Sequence, residues 1–293
     1  RARVQTLIKK ELLAVAEEYG DARRSPLIEA KEAQAFSDED LLTNDPITVV
    51  LSEKGWVRAA KGHDVKPQEL NYRTGDEFAQ AAQGRSNDVL VFLDSDGRSY
   101  NALAHTLPSA RGQGEPLSGR FKAKNDARFV GVIMGSGDSK VLLASNAGYG
   151  FVGTLNDMVT KNKAGKACLS VPSGGTALPP VMIEPGLHDA DSASVAAVTN
   201  QGRLLIFALK DLPELAKGKG NKLLNVPTAA FKSGEEELVG AVVVGEKDEL
   251  LVHAGQRHLR LKAKDLESYA GERTRRGRRL PRGFQKVDRL SVE

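Results

Sequence analysis

A chain of 293 residues, 40% hydrophobic and 27% charged, is long enough to bury a sizeable core in one or two globular domains. It has no apolar run near the ~18 residues of a membrane span and no charged-then-apolar leader. Its single cysteine, Cys168, excludes internal disulfides and Cys-based zinc sites and fits a reducing cytoplasm. The net charge of +4 is uneven: residues 29–53 hold seven acids and one base, residues 256–289 twelve bases and four acids. That asymmetry favours a polyanionic partner.

In chain order, Val4, Leu7, Ile8, Leu12, Val15, Ala16 and Tyr19 follow the 3.6-residue period and predict a helix that Gly20 ends. A lone helix needs something to pack on, so residues 1–22 read as the end of a larger region. The segment from Asp21 to Pro26 breaks the helix, and residues 23–45 read as an acidic linker. From 46 to 290 the chain reads as one repeating β domain.

The repeat is a Gly-centred hairpin: an apolar run, a polar turn, a glycine, a second run. It occurs at Gly55, Gly97, Gly148 and Gly202, and more loosely at Gly255. The spacings are 42, 51, 54 and 53 residues (97 − 55, 148 − 97, 202 − 148, 255 − 202). Nine residues after the glycine stand Asp64-Val65, Thr106-Leu107, Asp157-Met158 and Asp211-Leu212; Asp265-Leu266 follows Gly255 by ten, one residue out of register. A period of this length points to a propeller-type array with one sheet per repeat. Extra strands are expected at Phe129–Met134 and Leu238–Val244, and the segment Gly283–Leu290 reads as a last strand that completes a sheet begun elsewhere. Cys168 reads as a small buried hydrophobe inside a strand.

Four of the five repeats then enter a basic, Gly-bearing loop. The candidate polyanion contacts are Arg111, with Arg120 and Lys122 beyond it; Lys161, Lys163 and Lys166; Lys217, Lys219 and Lys222; and Arg273, Arg275, Arg276, Arg278 and Arg279. Arg58, Arg98, Arg203 and Arg257 join them from beside the hairpin turns. Glycine removes the Cβ that would obstruct a phosphate backbone. One such loop merely solubilises a surface; four in phase suit curved duplex DNA held through phosphates. With 5% aromatics, base stacking on single strands is poorly supported. The first repeat's loop offers Arg73 between Glu69 and Asp76, so contact is expected to be strongest at the last repeats and to fail at the first.

No catalytic or metal-binding constellation stands out. None of His63, His105, His188, His253 and His258 sits in H-E-x-x-H or beside a cysteine at zinc spacing. Gly218–Lys222 lacks G-x-x-x-x-G-K-[ST], and Gly135–Ser139 is not a G-x-S-x-G elbow. The repeated Asp64, Asp157, Asp211 and Asp265 read as turn caps rather than a channel active site.

Tyr19-Gly20-Asp21 with Arg23-Arg24, Asp38-Glu39-Asp40-Leu41-Leu42, and Thr48–Ser52 with Lys54-Gly55-Trp56-Val57-Arg58 resemble the opening of the C-terminal domain of bacterial type IIA topoisomerase A subunits. The likeness covers nearly the whole chain. It implies an all-β, five-bladed β-pinwheel, a propeller-like ring whose blades exchange strands, preceded by a short helix. Gyrase members carry a Gln-Arg-Arg-Gly-Gly-Lys-Gly box in the first basic loop. Here Glu69–Asp76 keeps only Arg73 and Gly75, which favours the topoisomerase IV branch over gyrase-type wrapping. The family's nucleophile is a Tyr directly after an Arg, and none of Tyr19, Tyr72, Tyr100, Tyr149 and Tyr269 follows one.

The resemblance thus implies a non-catalytic domain that binds duplex DNA and presents curved or crossed segments to a catalytic core elsewhere. It implies no cofactor or metal in this stretch, with Mg2+ and ATP held in other regions or subunits. Its partners would be the remainder of its own subunit together with the topoisomerase IV ATPase subunit, in a heterotetramer, with room for a chromosome-organising condensin. The setting would be cytoplasmic and chromosome-associated. A protein-binding propeller scaffold is the rival; competition by duplex DNA separates the two.

Overall fold

The computed structural model describes residues 2–21, 44–124, 126–184 and 192–293. The chain divides into two units, Arg1–Leu41 and Leu42–Glu293. In the first, a helix spans Ala2–Tyr19 as the periodicity predicts, and Gly20 N–H donates to Ala16 O at 2.9 Å. The acidic linker lies outside the described residues except for Asn44 and Asp45.

The second unit is all β. The first repeat forms β1 (Pro46–Ser52), β2 (Trp56–Lys61) and β3 (Phe78–Arg85). The second forms β4 (Val89–Asp94), β5 (Arg98–Leu103), β6 (Glu115–Pro116) and β7 (Phe129–Gly135). The third forms β8 (Lys140–Ser145), β9 (Tyr149–Thr154), β10 (Lys166–Ala167) and β11 (Val181–Ile183). The fourth forms β12 (Ser194–Thr199), β13 (Arg203–Ala208), β14 (Asn221–Lys222) and β15 (Leu238–Val244). The fifth forms β16 (Leu250–Ala254), β17 (Arg257–Leu261), β18 (Arg278–Arg279) and β19 (Arg289–Val292). The expected last strand therefore starts later, at Arg289, and completes its own repeat's sheet by pairing with β16.

The short strands cross between repeats. The sheets run β3-β1-β2-β6, β7-β4-β5-β10, β11-β8-β9-β14, β15-β12-β13-β18 and β17-β16-β19. Each of the first four hairpins thus receives its outer strand from the following repeat, and the fifth sheet has three strands among the described residues. The third strands meet one another, β3 on β7, β11 on β15 and β15 on β19. The handed-over strands lie at the opposite, outer edges. Together the five antiparallel sheets form the strand-exchanged, propeller-like ring.

The central strands β4, β8 and β12 serve two cores each, which is why they read as continuous apolar runs rather than alternating ones. On β4, Leu90 and Phe92 pack into the core shared with sheet one, while Val91 and Leu93 pack toward sheet three. On β12, Val195 and Ala197 face sheet three, while Ala196 and Val198 face sheet five. Among the described residues no such core joins sheet five to sheet one. The first core holds an aromatic group in which the Tyr100 and Phe121 ring centroids are 5.2 Å apart and those of Tyr100 and Phe129 5.4 Å. Cys168 is buried just past β10 rather than within a strand, and burial pushes its thiol up to about 11.

The hairpin turns explain the register. Four have three-residue loops ending in a glycine with φ of 77°, 79°, 83° and 67°, the left-handed position that closes such a loop. In each, the glycine N–H donates to the carbonyl of the strand's last residue, Ser52, Asp94, Ser145 or Thr199, at 2.9–3.0 Å. The fifth turn has two residues, Gly255 and Gln256. Counted from the first residue of the second strand (Trp56, Arg98, Tyr149, Arg203, Arg257), residues Asp64, Thr106, Asp157, Asp211 and Asp265 all fall eight positions on. The one-residue slip is therefore a property of the turn. Asp157 and Asp265 cap single helical turns: Asp157 Oδ2 accepts from Thr154 Oγ1 at 2.8 Å and Asp265 Oδ2 from Lys262 N–H at 3.0 Å.

In sheet five, His253 Nε2 lies 2.7 Å from Ser291 Oγ, tying β16 to β19. Burial, with Arg289 and His258 nearby, pushes the His253 pKa below its ordinary 6.5. A base held below its unfolded pKa contributes stability that is full above pH 6.5 and is lost as pH falls through the folded value. Acidification from pH 7.5 to 5 should therefore lower the unfolding midpoint, and His253→Gln should shrink that drop. An identical drop in the variant would remove His253 from the account.

Candidate nucleic-acid interface

Each handed-over strand is preceded by a basic loop whose last residue is glycine: Gly114, Gly165, Gly220 and Gly277. All four have positive φ, from 73° to 87°. A Cβ on Gly114 would sit 2.4 Å from Val57 O, on Gly220 2.2 Å from Gly150 O, and on Gly277 2.9 Å from Leu204 O. These glycines seat the strand against the preceding sheet. Close approach to phosphate, the reason for which the sequence singled them out, is not what the geometry requires of them.

The loops are joined in series along the outer edge. Lys122 N–H donates to Lys163 O at 2.8 Å, Ser170 N–H to Gly218 O at 2.8 Å, and Asn225 N–H to Arg275 O at 2.9 Å. Nothing in the linear sequence signals these links, because they join one repeat to the next. They set the cationic loops side by side.

The candidate cations divide by what they already touch. Arg58 is buried, and its Nη1 donates to Asn71 O at 2.9 Å and Gly112 O at 3.0 Å, so it holds two loops together rather than facing a ligand. Arg98 donates to Ala164 O and Gly165 O at 2.9 and 2.8 Å, and Arg203 reaches Gly277 O at 3.5 Å, each clamping the loop that crosses onto its sheet. Arg120 is fixed by Glu115 and Thr106. Lys222 donates to Asn225 Oδ1 at 3.1 Å. Lys219 lies 3.7 Å from the centroid of the Tyr149 ring.

The last loop is the most occupied. Arg273 donates to Lys222 O at 2.8 Å, Arg278 to Ser268 O at 2.6 Å, and Arg275 pairs with Glu272 at 3.0 Å. Arg276 makes a two-armed pair with the buried Glu236 at 2.7 and 2.6 Å. Burial, then the charges of Arg276 and Arg279, push the Arg203 pKa below its ordinary value.

Arg111, Lys122, Lys161, Lys163, Lys217, Arg257 and Arg279 are exposed and have no side-chain hydrogen bond or ion pair among the described residues; Lys166 is half-buried and likewise without one. Free positive charge is therefore densest at the first two hand-overs, those of β6 and β10, not at the last. Sequence reasoning also missed a groove of about 1000 Å³ where Lys54, Lys122, Lys124 and Arg128 surround Phe121, Phe129 and Pro179. Lys124 and Arg128 lie beyond any glycine loop; the alternating bases after Phe121 were the available signal. Among the described residues no group of three His, Cys, Asp or Glu side chains could hold a metal ion, and no helix is long and apolar enough to cross a membrane.

No family model matches the chain. A solved C-terminal domain of DNA topoisomerase IV is 14% identical with a TM-score of 0.65, covering 86% of this chain and 79% of that one. A solved C-terminal domain of DNA gyrase A is 16% identical with a TM-score of 0.60, covering 83% and 81%. They share the fold and set the class, a strand-exchanged propeller of this type. The solved Escherichia coli ParC C-terminal domain is 47% identical with a TM-score of 0.72, covering 85% of this chain and 99% of that one. The DNA topoisomerase 4 A subunits of Pseudomonas aeruginosa and Escherichia coli K12 are 51% and 48% identical over 100% and 99% of this chain. The chain belongs to the family of C-terminal domains of topoisomerase IV A subunits, and spans 38% of the length of those two relatives.

Proposed function

We propose that this domain binds duplex DNA along its outer edge and, within a topoisomerase IV A subunit, presents curved or crossed segments to a catalytic core outside residues 46–290. The observation that carries the reading is the series of hydrogen-bonded hand-over loops with unpaired cations at Arg111, Lys122, Lys161, Lys163 and Lys217. Unpaired exposed cations can neutralise phosphates, and release of the condensed counterions drives binding. Loops that follow one another round a ring reach more phosphates on bent DNA than on straight DNA, and that surplus must offset a bending cost on the order of several kcal/mol.

In this reading residues 1–22 end the preceding region and 23–45 link it to the ring. Strand breakage, ATP and Mg2+ belong to other regions and to the ATPase subunit of a heterotetramer that decatenates and relaxes chromosomal DNA in the cytoplasm. A condensin is a further candidate partner.

If roughly five phosphates are neutralised, log K should fall with log salt at a slope of about −4 to −5. Changing Lys161, Lys163 and Lys217 to Ala should flatten the slope by about 3 and weaken binding to all sequences alike. An unchanged slope, or a loss confined to particular sequences, would sink the proposal.

A further inference from the structure

Among the described residues the first repeat has no preceding sheet to hand a strand to, and its loop folds back on its own hairpin. There the Arg73 guanidinium lies over Trp56, its carbon 3.8 Å from the ring centroid. Its Nε donates to Gln113 Oε1 at 3.1 Å, and its two terminal nitrogens have no protein partner among the described residues. The acids that flank Arg73 in sequence are engaged elsewhere. Asp76 is buried and its Oδ1 accepts the N–H groups of Lys54 and Glu77, both at 3.0 Å. Glu69 pairs with Lys66 at 2.9 Å. The loop itself is pinned by Arg58, through Asn71 O, to the loop that carries Gln113 and the exposed Arg111.

We propose that Arg73, held by Trp56 and Gln113, is a preformed contact for a DNA phosphodiester, so that the first sheet joins the DNA path. This rests on the DNA-binding reading above. A guanidinium presents paired N–H donors that match phosphate oxygens. Contact with the indole and with Gln113 restrains that fork before DNA arrives, so little side-chain freedom remains to be lost on binding. Arg73 covers the near face of the indole, which directs the site to a phosphate rather than to a stacked base.

Trp56 is the single tryptophan of the chain and reports on the site directly. Duplex DNA should be titrated into the whole chain while indole emission and the anisotropy of a labelled duplex are followed together. The two signals should change over the same concentrations. Arg73→Ala should weaken binding about fivefold to tenfold and flatten the salt slope by about 0.9, with the thermal midpoint nearly unchanged because Arg73 is exposed. Gln113→Ala should weaken binding while leaving the slope as it was, since it removes the hold and not the charge. Tight binding by Arg73→Ala with the parent slope, or a silent indole during saturable binding, would overturn the inference and leave DNA binding standing. Failure of the unmodified chain to bind duplex would overturn both.

Discussion

Gly220→Ala should lower the unfolding midpoint of the domain by about 10 °C, about twice the effect of Gly234→Ala. Both glycines have left-handed backbones, with φ of 74° and 75°. A side chain in that region costs about 1–2 kcal/mol. At Gly234 nothing lies within 4 Å of the added Cβ, so that cost stands alone. At Gly220 the Cβ would fall 2.2 Å from Gly150 O and 2.4 Å from its carbonyl carbon. Backbone atoms in a paired strand cannot rotate aside, so overpacking adds about 1–3 kcal/mol. Either β14 leaves the edge of β9 or sheet three distorts. For a domain of this size about 3 kcal/mol corresponds to the quoted shift. Equal midpoints for the two variants, measured by calorimetry, would mean that the handed-over strand is loosely seated.

Arg276→Ala should cost about 3 kcal/mol of stability and leave the salt slope of DNA binding almost unchanged. The Glu236 side chain is 5% exposed and Arg276 35%. Removing the guanidinium strands a buried carboxylate, which is the costly half of breaking such a pair. Because Arg276 keeps some contact with water, the low end of the usual range applies. Arg276→Met with Glu236→Leu should recover most of the loss, since neither charge then remains to be solvated. Lys217→Ala should behave in the opposite way, with little change in denaturant midpoint and a flatter salt slope. A parent-like midpoint for Arg276→Ala would show that this pair does not hold the last hand-over, that of β18, in place.

The hairpins were legible because each turn needs a glycine at one backbone position, and the apolar runs of β4, β8 and β12 because those strands feed two cores each. Phe129–Met134 and Leu238–Val244 were read as strands from their apolar runs, and the strands formed are Phe129–Gly135 and Leu238–Val244. The hand-over strands were not legible. Glu115-Pro116 and Arg278-Arg279 have no strand pattern of their own; a neighbouring sheet makes them strands. The candidate site was half legible. Positive charge could be counted along the chain, but whether an arginine is free depends on carbonyls and carboxylates that folding brings to it. Arg273, Arg276 and Arg278 were expected at the interface on charge alone, and Lys222 O, Glu236 and Ser268 O already hold them. Arg73 was set aside because Glu69 and Asp76 flank it in sequence, although Lys66 and two backbone amides occupy those acids in space.

The hand-over also sets an order in time. The first hairpin is complete once Lys61 has been made, but its outer strand, Glu115–Pro116, is finished 55 residues later (116 − 61). At ~5–20 residues per second, β2 waits several seconds on the ribosome with an open edge. The second, third and fourth hairpins wait in turn for the repeat behind them, so the ring matures from its N-terminal side with a lag of one repeat. A ribosome that stalls within one repeat therefore leaves the preceding one unfinished. Nascent chains halted between Lys61 and Glu115 would carry an exposed strand that chaperones or a second nascent chain could capture.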